Sequence, residues 1–314
     1  MTLQKTQSWL VVAHVTSLKE KKDFMRIFKT AQKNLHRYTD IYIIYIYHKK
    51  IGKIFHITSD TFEVVANMNQ GQDGQTKWCN KMVQTVLRIT QPVAMTYYGH
   101  GGGVVIGSWS DPLMSLKKFA KIFVKPVQPK ILGLDSCYLG SIVSLYELSP
   151  FVNFVLGSPA WHPFTSISSL PLFGKLPNVT NKTSAEQNAL YKKYIIAMSC
   201  AFGKLKGQPK YSCLVAFDLT HMDRIIPQIK TLVFSEQHNL HLQDPDSYDL
   251  KESVEKHLKA DIESLVLSKH CMTKCPVKIQ GSSVSNFKKN DAWINHFAAS
   301  RWGKFIKNVK IIKS

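Results

Sequence analysis

Trp9-Leu10-Val11-Val12-Ala13-His14-Val15, then Ser17-Leu18-Lys19-Glu20, then Ile41-Tyr42-Ile43-Ile44-Tyr45-Ile46-Tyr47: these three stretches decide the fold class of this 314-residue chain. The first is short, apolar and β-branched, the pattern of a buried strand. Ser17-x-x-Glu20 reads as a capping box that opens a helix, with Phe24, Ile27, Phe28, Ala31 and Leu35 at helical spacing until Tyr38-Thr39-Asp40 breaks the pattern. The third stretch is apolar or aromatic at nearly every position, as expected of a strand covered on both faces. Strand, helix and strand in this order open a βαβ unit.

Working outward, residues 53–57 and 62–66 predict a short hairpin and residues 75–89 a helix. A strand over 93–98 ends in Gly99-His100-Gly101-Gly102-Gly103, and a helix over 114–124 follows. A strand over 130–134 ends in Asp135-Ser136-Cys137, with a helix at 139–149 and a strand at 152–157 beyond it. Such alternation with short links predicts an α/β fold, a mostly parallel sheet flanked by helices on both faces. Past that core the patterns predict a helix over 184–202, a strand over 213–217 and a helix over 220–234. Asp249-x-x-Glu252 predicts a further amphipathic helix carrying Leu250, Val254, Leu258, Ile262 and Leu265. From His270 onward the chain is Lys-rich and without period, so we divide it into a domain at 1–235 and a helical, Lys-rich extension at 236–314.

Composition narrows the function classes. At 44% hydrophobic residues the chain has the means to bury a core, which excludes disorder for most of its length. The net charge of +20 invites anionic partners, yet only five of the 41 basic residues are Arg. Phosphate and base readout favour the planar Arg fork, so the charge reads as a diffuse lysine surface, and nucleic acid stays a partner only through that surface. No apolar run is long enough to span a membrane, and residues 1–8 lack an apolar signal core, which predicts a cytoplasmic protein. The six cysteines at 79, 137, 200, 213, 271 and 275 show no paired framework and are expected to be mostly thiols. His270-Cys271-x-x-x-Cys275 lacks the second ligand pair of a zinc site, and Asp244, Asp246 and Asp249 miss the spacing of a calcium-binding loop, so no metal ligands are assigned.

The chemistry gathers where two strands end. One presents His100 and the other Cys137, and in an open parallel sheet sites assemble at the carboxyl ends of strands. A thiolate is a strong nucleophile, and an imidazole beside it can protonate a leaving amine, so the pair suits acyl transfer. The N-terminus of the helix after Cys137 is expected to help stabilise the thiolate. Gly101, without a Cβ, lets the backbone approach a substrate carbonyl, so its N–H and that of Cys137 are candidates for an oxyanion hole.

Tyr98-Gly99-His100-Gly101-Gly102-Gly103 together with Leu134-Asp135-Ser136-Cys137-Tyr138-Leu139-Gly140 resembles the paired His-Gly and Asp-x-Cys blocks of caspase-fold cysteine peptidases. The clostripain family is the nearest match, with a metacaspase-like Asp-Ser-Cys. Ala66-Asn67-Met68-Asn69-Gln70-Gly71, Ser144-Leu145-Tyr146-Glu147-Leu148, Val155-Leu156-Gly157-Ser158 and Ser212-Cys213-Leu214-Val215-Ala216-Phe217-Asp218-Leu219 resemble flanking segments of that family, so the likeness spans roughly residues 9–235. It implies a caspase-like fold and a cysteine endopeptidase in which Cys137 is the nucleophile and His100 the general acid/base. It also implies that Asp135 lines the S1 pocket and selects Lys or Arg at P1, that a protein or peptide is the substrate, that no cofactor is required and that calcium acts as an activator. One departure stands out: no Asp or Glu occurs between Glu147 and Glu186, where the family carries further pocket acids. Ser158, and Trp161 or His162, are the candidates to shape the pocket beside Asp135 instead. Two other readings stay open. Asp135 also suits a structural cap of the helix after it, and a catalytically silent caspase-fold protein that docks an acidic partner on its basic surface competes with the peptidase.

Overall fold

The computed structural model describes residues 7–35, 39–48, 51–70, 74–107, 114–159, 167, 170–205, 213–234, 247–249, 256–271, 283–285 and 299–313. Among the described residues nine strands form one sheet: β1 (Gln7–Val15), β2 (Thr39–Tyr47), β3 (Ile51–Ile57), β4 (Phe62–Asn67), β5 (Ala94–Tyr98), β6 (Ile131–Asp135), β7 (Phe154–Gly157), β8 (Cys213–Asp218) and β9 (Val266–Cys271). Their spatial order is β9-β8-β7-β6-β5-β1-β2-β3-β4. The middle strands β7, β6, β5, β1 and β2 run parallel, and antiparallel strands extend both flanks. From β1 the chain first goes to β2 on one side and later to β5 on the other. The carboxyl ends of β1 and β5 therefore border a topological switch point, where the two connections diverge and leave a crevice.

The period-2 alternation of β1 distributes its side chains between two layers. Leu10 and Val12 enter a core with Trp78, Met82 and Val83 of α2 (Gln75–Ile89) and Val143 and Leu145 of α4 (Ile142–Leu148). That core also holds Phe119 and Phe123 of α3, which begins as Leu116–Phe119 and continues through a π-helical turn, Ala120–Val124, to Lys125–Val127. Trp9, Val11, Ala13 and Val15 enter the opposite core with Phe24, Ile27 and Phe28 of α1 (Leu18–Asn34) and Tyr194, Ile195 and Met198 of α5 (Ser184–Phe202). Helices thus cover both faces, as the apolar strands require.

Beyond residue 218 the sequence patterns and the structure part. The expected helix over 220–234 is only Met222–Ile225 with a 3-10 turn to Gln228, followed by a strand, Thr231–Phe234. Pro227 is the cause, since it lacks the N–H and sterically blocks continuation of the helix. Of the helix expected from Asp249, the described residues hold a strand at Ser247–Asp249, a 3-10 turn at Lys256–Leu258 and a helix at Lys259–Ser264, while Leu250 and Val254 lie outside them. Leu258, Ile262 and Leu265 still enter the core. Nor does the sheet end at the boundary drawn at 235. β9 pairs along β8, and Lys310–Lys313 pairs with Thr231–Phe234 in parallel. An uncovered edge of β8 would leave a row of backbone groups unpaired, and β9 removes that edge.

The same pairing bears on the cysteines. Cys79, Cys137 and Cys200 are thiols, whereas Cys213 is disulfide-bonded and so is not one of the expected thiols. In the β8–β9 register Cys213 lies opposite Cys271. That proximity comes from sheet pairing, which cysteine spacing does not encode. Among the described residues no helix is long and apolar enough to cross a membrane, and no group of His, Cys, Asp and Glu side chains is arranged to hold a metal ion.

Candidate active site

β5 and β6 are neighbours in parallel register, with Tyr98 opposite Asp135. His100 and Cys137 therefore leave adjacent strand tips at the same distance from their last paired residues. The Gly99 N–H continues the pairing onto the Asp135 carbonyl at 3.4 Å. Gly101 then lies directly on the cysteine turn. A Cβ built on it would stand 2.4 Å from Ser136 Oγ, 3.0 Å from Leu139 Cγ and 3.1 Å from the Cys137 carbonyl oxygen. Glycine is required there by close approach.

The loop that carries His100 is fixed from beneath. The Tyr97 hydroxyl donates to the His100 carbonyl at 2.9 Å and accepts the Gly107 N–H at 3.1 Å, and that N–H also reaches the His100 carbonyl at 3.0 Å. Gly103 and Gly107 sit at φ +70° and +104°, which side chains other than hydrogen rarely adopt. Ser144, in the first turn of α4, donates its hydroxyl to the Gly103 carbonyl at 2.6 Å and so locks loop to helix.

The turn that carries Cys137 is equally constrained. Asp135 and Ser136 are fully buried, while Cys137 is half-buried. Tyr138 is left-handed at φ +57°, a conformation that costs a bulky residue roughly 1–2 kcal/mol and marks a forced reversal. The Gly140 N–H donates to the Ser158 carbonyl at 2.7 Å, and a Cβ on Gly140 would meet the Ser158 and Pro159 backbone at 2.7–2.8 Å. Ser158, itself fully buried, is thus part of the seat beneath the turn. Trp161 and His162 lie outside the described residues. The C-terminal segment buttresses the next helix: the Arg301 N–H donates to Glu147 Oε2 at 2.7 Å, its guanidinium donates to the Tyr146 carbonyl at 2.6 Å and covers the Tyr146 ring at 4.0 Å, and Trp302 is fully buried.

One expectation about the thiol needs correction. Residues 137–140 form a turn, and α4 begins only at Ile142 with Ser141 as its N-cap. The Ser141 hydroxyl already accepts the Ser144 N–H. A seven-residue helix that is capped by its own serine and starts this far on offers the Cys137 sulfur no free N-terminus.

The partner that sequence reasoning missed comes from β1 and α1. His100 Nε2 lies 3.3 Å from Glu20 Oε1, and the two side chains are only 33% and 18% exposed. Ser17 is the N-cap of α1 and accepts the Glu20 N–H, as expected, but the Glu20 carboxylate does not close the box onto Ser17. It accepts the Thr16 N–H at 2.8 Å and the Thr16 hydroxyl at 3.1 Å and turns towards His100. Burial would raise the Glu20 carboxyl, but hydrogen bonds from His100 and Thr16 and the imidazolium charge outweigh it and hold the carboxyl at about 2. A folded pKa below the unfolded one means that the carboxylate stabilises the fold above the usual carboxylate range and loses this contribution as pH falls towards 2. We expect Glu20→Gln to cost at most about 3 kcal/mol at pH 7. Urea unfolding checks this: the gap between wild type and variant must close as pH falls from about 5 to 2, and a gap independent of pH refutes it.

The surrounding groups complete the electrostatics. Burial pushes the Tyr98 phenol far up, helped by the charges of Asp135, Asp23 and Glu20, so it stays neutral beside them. The Cys79 thiol is pushed up to about 12 by burial under α2, which makes it a poor nucleophile and leaves Cys137 as the chemically accessible thiol of this region.

No protein-family profile matches the sequence, and no curated protein does. Solved structures do match by fold. The X-ray structure of a secreted C11 cysteine protease from Bacteroides thetaiotaomicron, "iotapain", aligns over 96% of this chain and 99% of its own with a TM-score of 0.71 at 12% identity. A secreted C11 cysteine protease of the same organism, in complex with an irreversible peptide inhibitor, aligns over 96% and 98% with a TM-score of 0.69 at 11% identity. An inactive zymogen C11 protease from Parabacteroides distasonis aligns over 99% and 100% with a TM-score of 0.61 at 10% identity. This chain has the caspase-like fold of the C11, or clostripain-family, proteases along nearly its whole length.

Proposed function

We propose that this protein is a cysteine endopeptidase that hydrolyses peptide bonds through a Cys137–His100 dyad after a basic P1 residue. The carrying observation is the seat of Gly101 on Ser136 and Cys137, which brings the imidazole loop and the thiol turn to neighbouring strand tips. The fold shared with C11 cysteine proteases supports the same reading. That one such protein holds an irreversible peptide inhibitor supports a peptide as substrate.

In this reading the Cys137 thiolate attacks the scissile carbonyl carbon. The carbonyl oxygen becomes an oxyanion and is held by the N–H groups of Gly101 and Cys137. His100, as imidazolium, gives its proton to the leaving amine, and the C–N bond breaks to leave a thioester. Water then attacks the thioester, His100 takes its proton, and the acid product leaves with Cys137 restored as thiolate. None of these steps calls on a cofactor.

Asp135 is the residue we assign to P1 selection. It is wholly buried two positions before the thiol, and a carboxylate in so dry a setting attracts an ammonium or guanidinium strongly. Ser158 contributes backbone to the wall, in the absence of a second acid along 148–185. A peptide library varied at P1 tests activity and charge selection together. We expect Lys and Arg to lead, and Asp135→Asn to cut that preference by about 10- to 100-fold while neutral P1 residues change little. No cleavage of any P1 type overturns the peptidase. Cleavage that ignores P1 charge overturns the role of Asp135.

A further inference from the structure

We propose that Glu20 is the positioning residue of the dyad, a carboxylate on the first turn of α1 that takes the Nε2 side of His100 and so presents Nδ1 to the Cys137 sulfur. The inference deepens the peptidase reading and rests on it for the identity of the reacting thiol.

Local sequence does not account for where this carboxylate goes. Glu186 is its internal control: it holds the same third position of a helix after a capping hydroxyl, and its carboxylate accepts the Thr183 N–H and closes a capping box. The Glu186 side chain is 52% exposed. Glu20 begins with the same Ser-x-x-Glu spacing, yet its carboxylate is largely buried, is gripped by the Thr16 N–H and hydroxyl, and bonds across 80 positions of sequence to His100. The diversion follows from topology. β1 and β5 are adjacent in the sheet, so the turn after β1 and the loop after β5 open at one end of it, at the switch point.

Such an arrangement does three things for a thiol–imidazole pair. It fixes the ring plane of His100, it selects the tautomer that bears the proton on Nε2, and it stabilises the imidazolium that must donate to the leaving amine. The Thr16 hydrogen bonds hold the carboxylate in place, and the phenols near it stay protonated. Tyr45 on β2 and Tyr97 and Tyr98 on β5 are neutral phenols raised by burial and by the Glu20 charge itself, and Asp23, Arg26 and Asp135 also act on Tyr98.

The test uses Glu20→Gln, which keeps the shape and can still accept the Thr16 N–H, with Glu20→Asp as the charge-preserving control. In wild-type protein labelled at the histidine rings, the His100 signal, identified by its loss in His100→Gln, is titrated by NMR. We expect that titration to move to lower pH in Glu20→Gln and to move less in Glu20→Asp. An unchanged His100 titration overturns the proposal, whether or not any peptide is cleaved. On a cleaved peptide, we expect Glu20→Gln to lower kcat about 10- to 100-fold with KM within a factor of two, and to move the limb of the pH–rate profile that belongs to His100. Unaltered kcat and pH profile in Glu20→Gln overturn the positioning role and leave the peptidase standing. A wild-type protein inert to every peptide overturns the peptidase, while the ring titration still decides the Glu20–His100 pair.

Discussion

Replacing Cys137 with Ala is expected to abolish peptide hydrolysis and covalent capture of a peptide acyloxymethyl ketone at the same time. The sulfur is both the nucleophile of the proposed reaction and the atom such a reagent alkylates. Loss of a nucleophile that acts as a unit with its base costs on the order of 10⁴- to 10⁶-fold in kcat, and His100→Ala should fall in the same range. Because the two act together, the double variant should be scarcely worse than either single one. Cys79 offers no substitute of similar reactivity, being fully buried with its thiol raised to about 12. Mass spectrometry of the labelled protein locates the adduct, and thermal melting within a few degrees of wild type shows that the fold is intact. A Cys137→Ala protein that still takes up the reagent in proportion to peptide turnover would place the nucleophile elsewhere and leave the catalytically silent reading for this site.

Gly101→Val is expected to have the second largest effect, and on both activity and stability. The added Cβ would stand 2.4 Å from Ser136 Oγ, 3.0 Å from Leu139 Cγ and 3.1 Å from the Cys137 carbonyl oxygen, and two further methyls cannot be placed without moving the cysteine turn. Overpacking of this kind costs about 1–3 kcal/mol of stability. A displacement near 1 Å of one strand tip against the other should cost about 10²-fold in rate beyond that. Gly101→Ala is the graded case. Its worst contact is to a side-chain oxygen, so Ser136→Ala should recover part of the loss in Gly101→Ala and none of it in Gly101→Val, where Leu139 and the Cys137 backbone remain in the way. Chemical denaturation and peptide turnover of the four proteins check the order. A Gly101→Val protein with wild-type turnover would mean that the two loops do not need this contact, and the oxyanion role of Gly101 would fall with it.

The parallel core was legible because its signals are local. β-branched runs such as Val11-Val12 and Ile43-Ile44 have little alternative to a doubly covered strand, and the helices at 75–89 and 184–202 match their periodic residues end to end. The His100 and Cys137 blocks were legible for a related reason: each is a short, glycine-bearing sequence at the end of such a strand. Legibility failed where a long-range partner outweighs local preference. Thr231–Phe234 looks like the end of a helix until Lys310–Lys313 pairs with it, and Val266–Cys271 shows no strand period because β8 supplies its ladder. Glu20 is the sharpest case. Its spacing from Ser17 gave half of the truth, the N-cap, and concealed the contact to His100.

Apolar periodicity and glycine placement determined by themselves that this chain builds a parallel sheet and that a thiol and an imidazole stand at strand ends, because burial of apolar surface and the steric limits of the backbone act between residues close in sequence. Only the tertiary structure decided which strand tips are neighbours, that the C-terminal segment completes the sheet and braces α4, and that a carboxylate after β1 meets the ring after β5. The physical reason is that a hydrogen bond between residues 80 positions apart has no signature in local composition: it forms when sheet order closes the loop between them, and sheet order is set by the burial of the whole core at once.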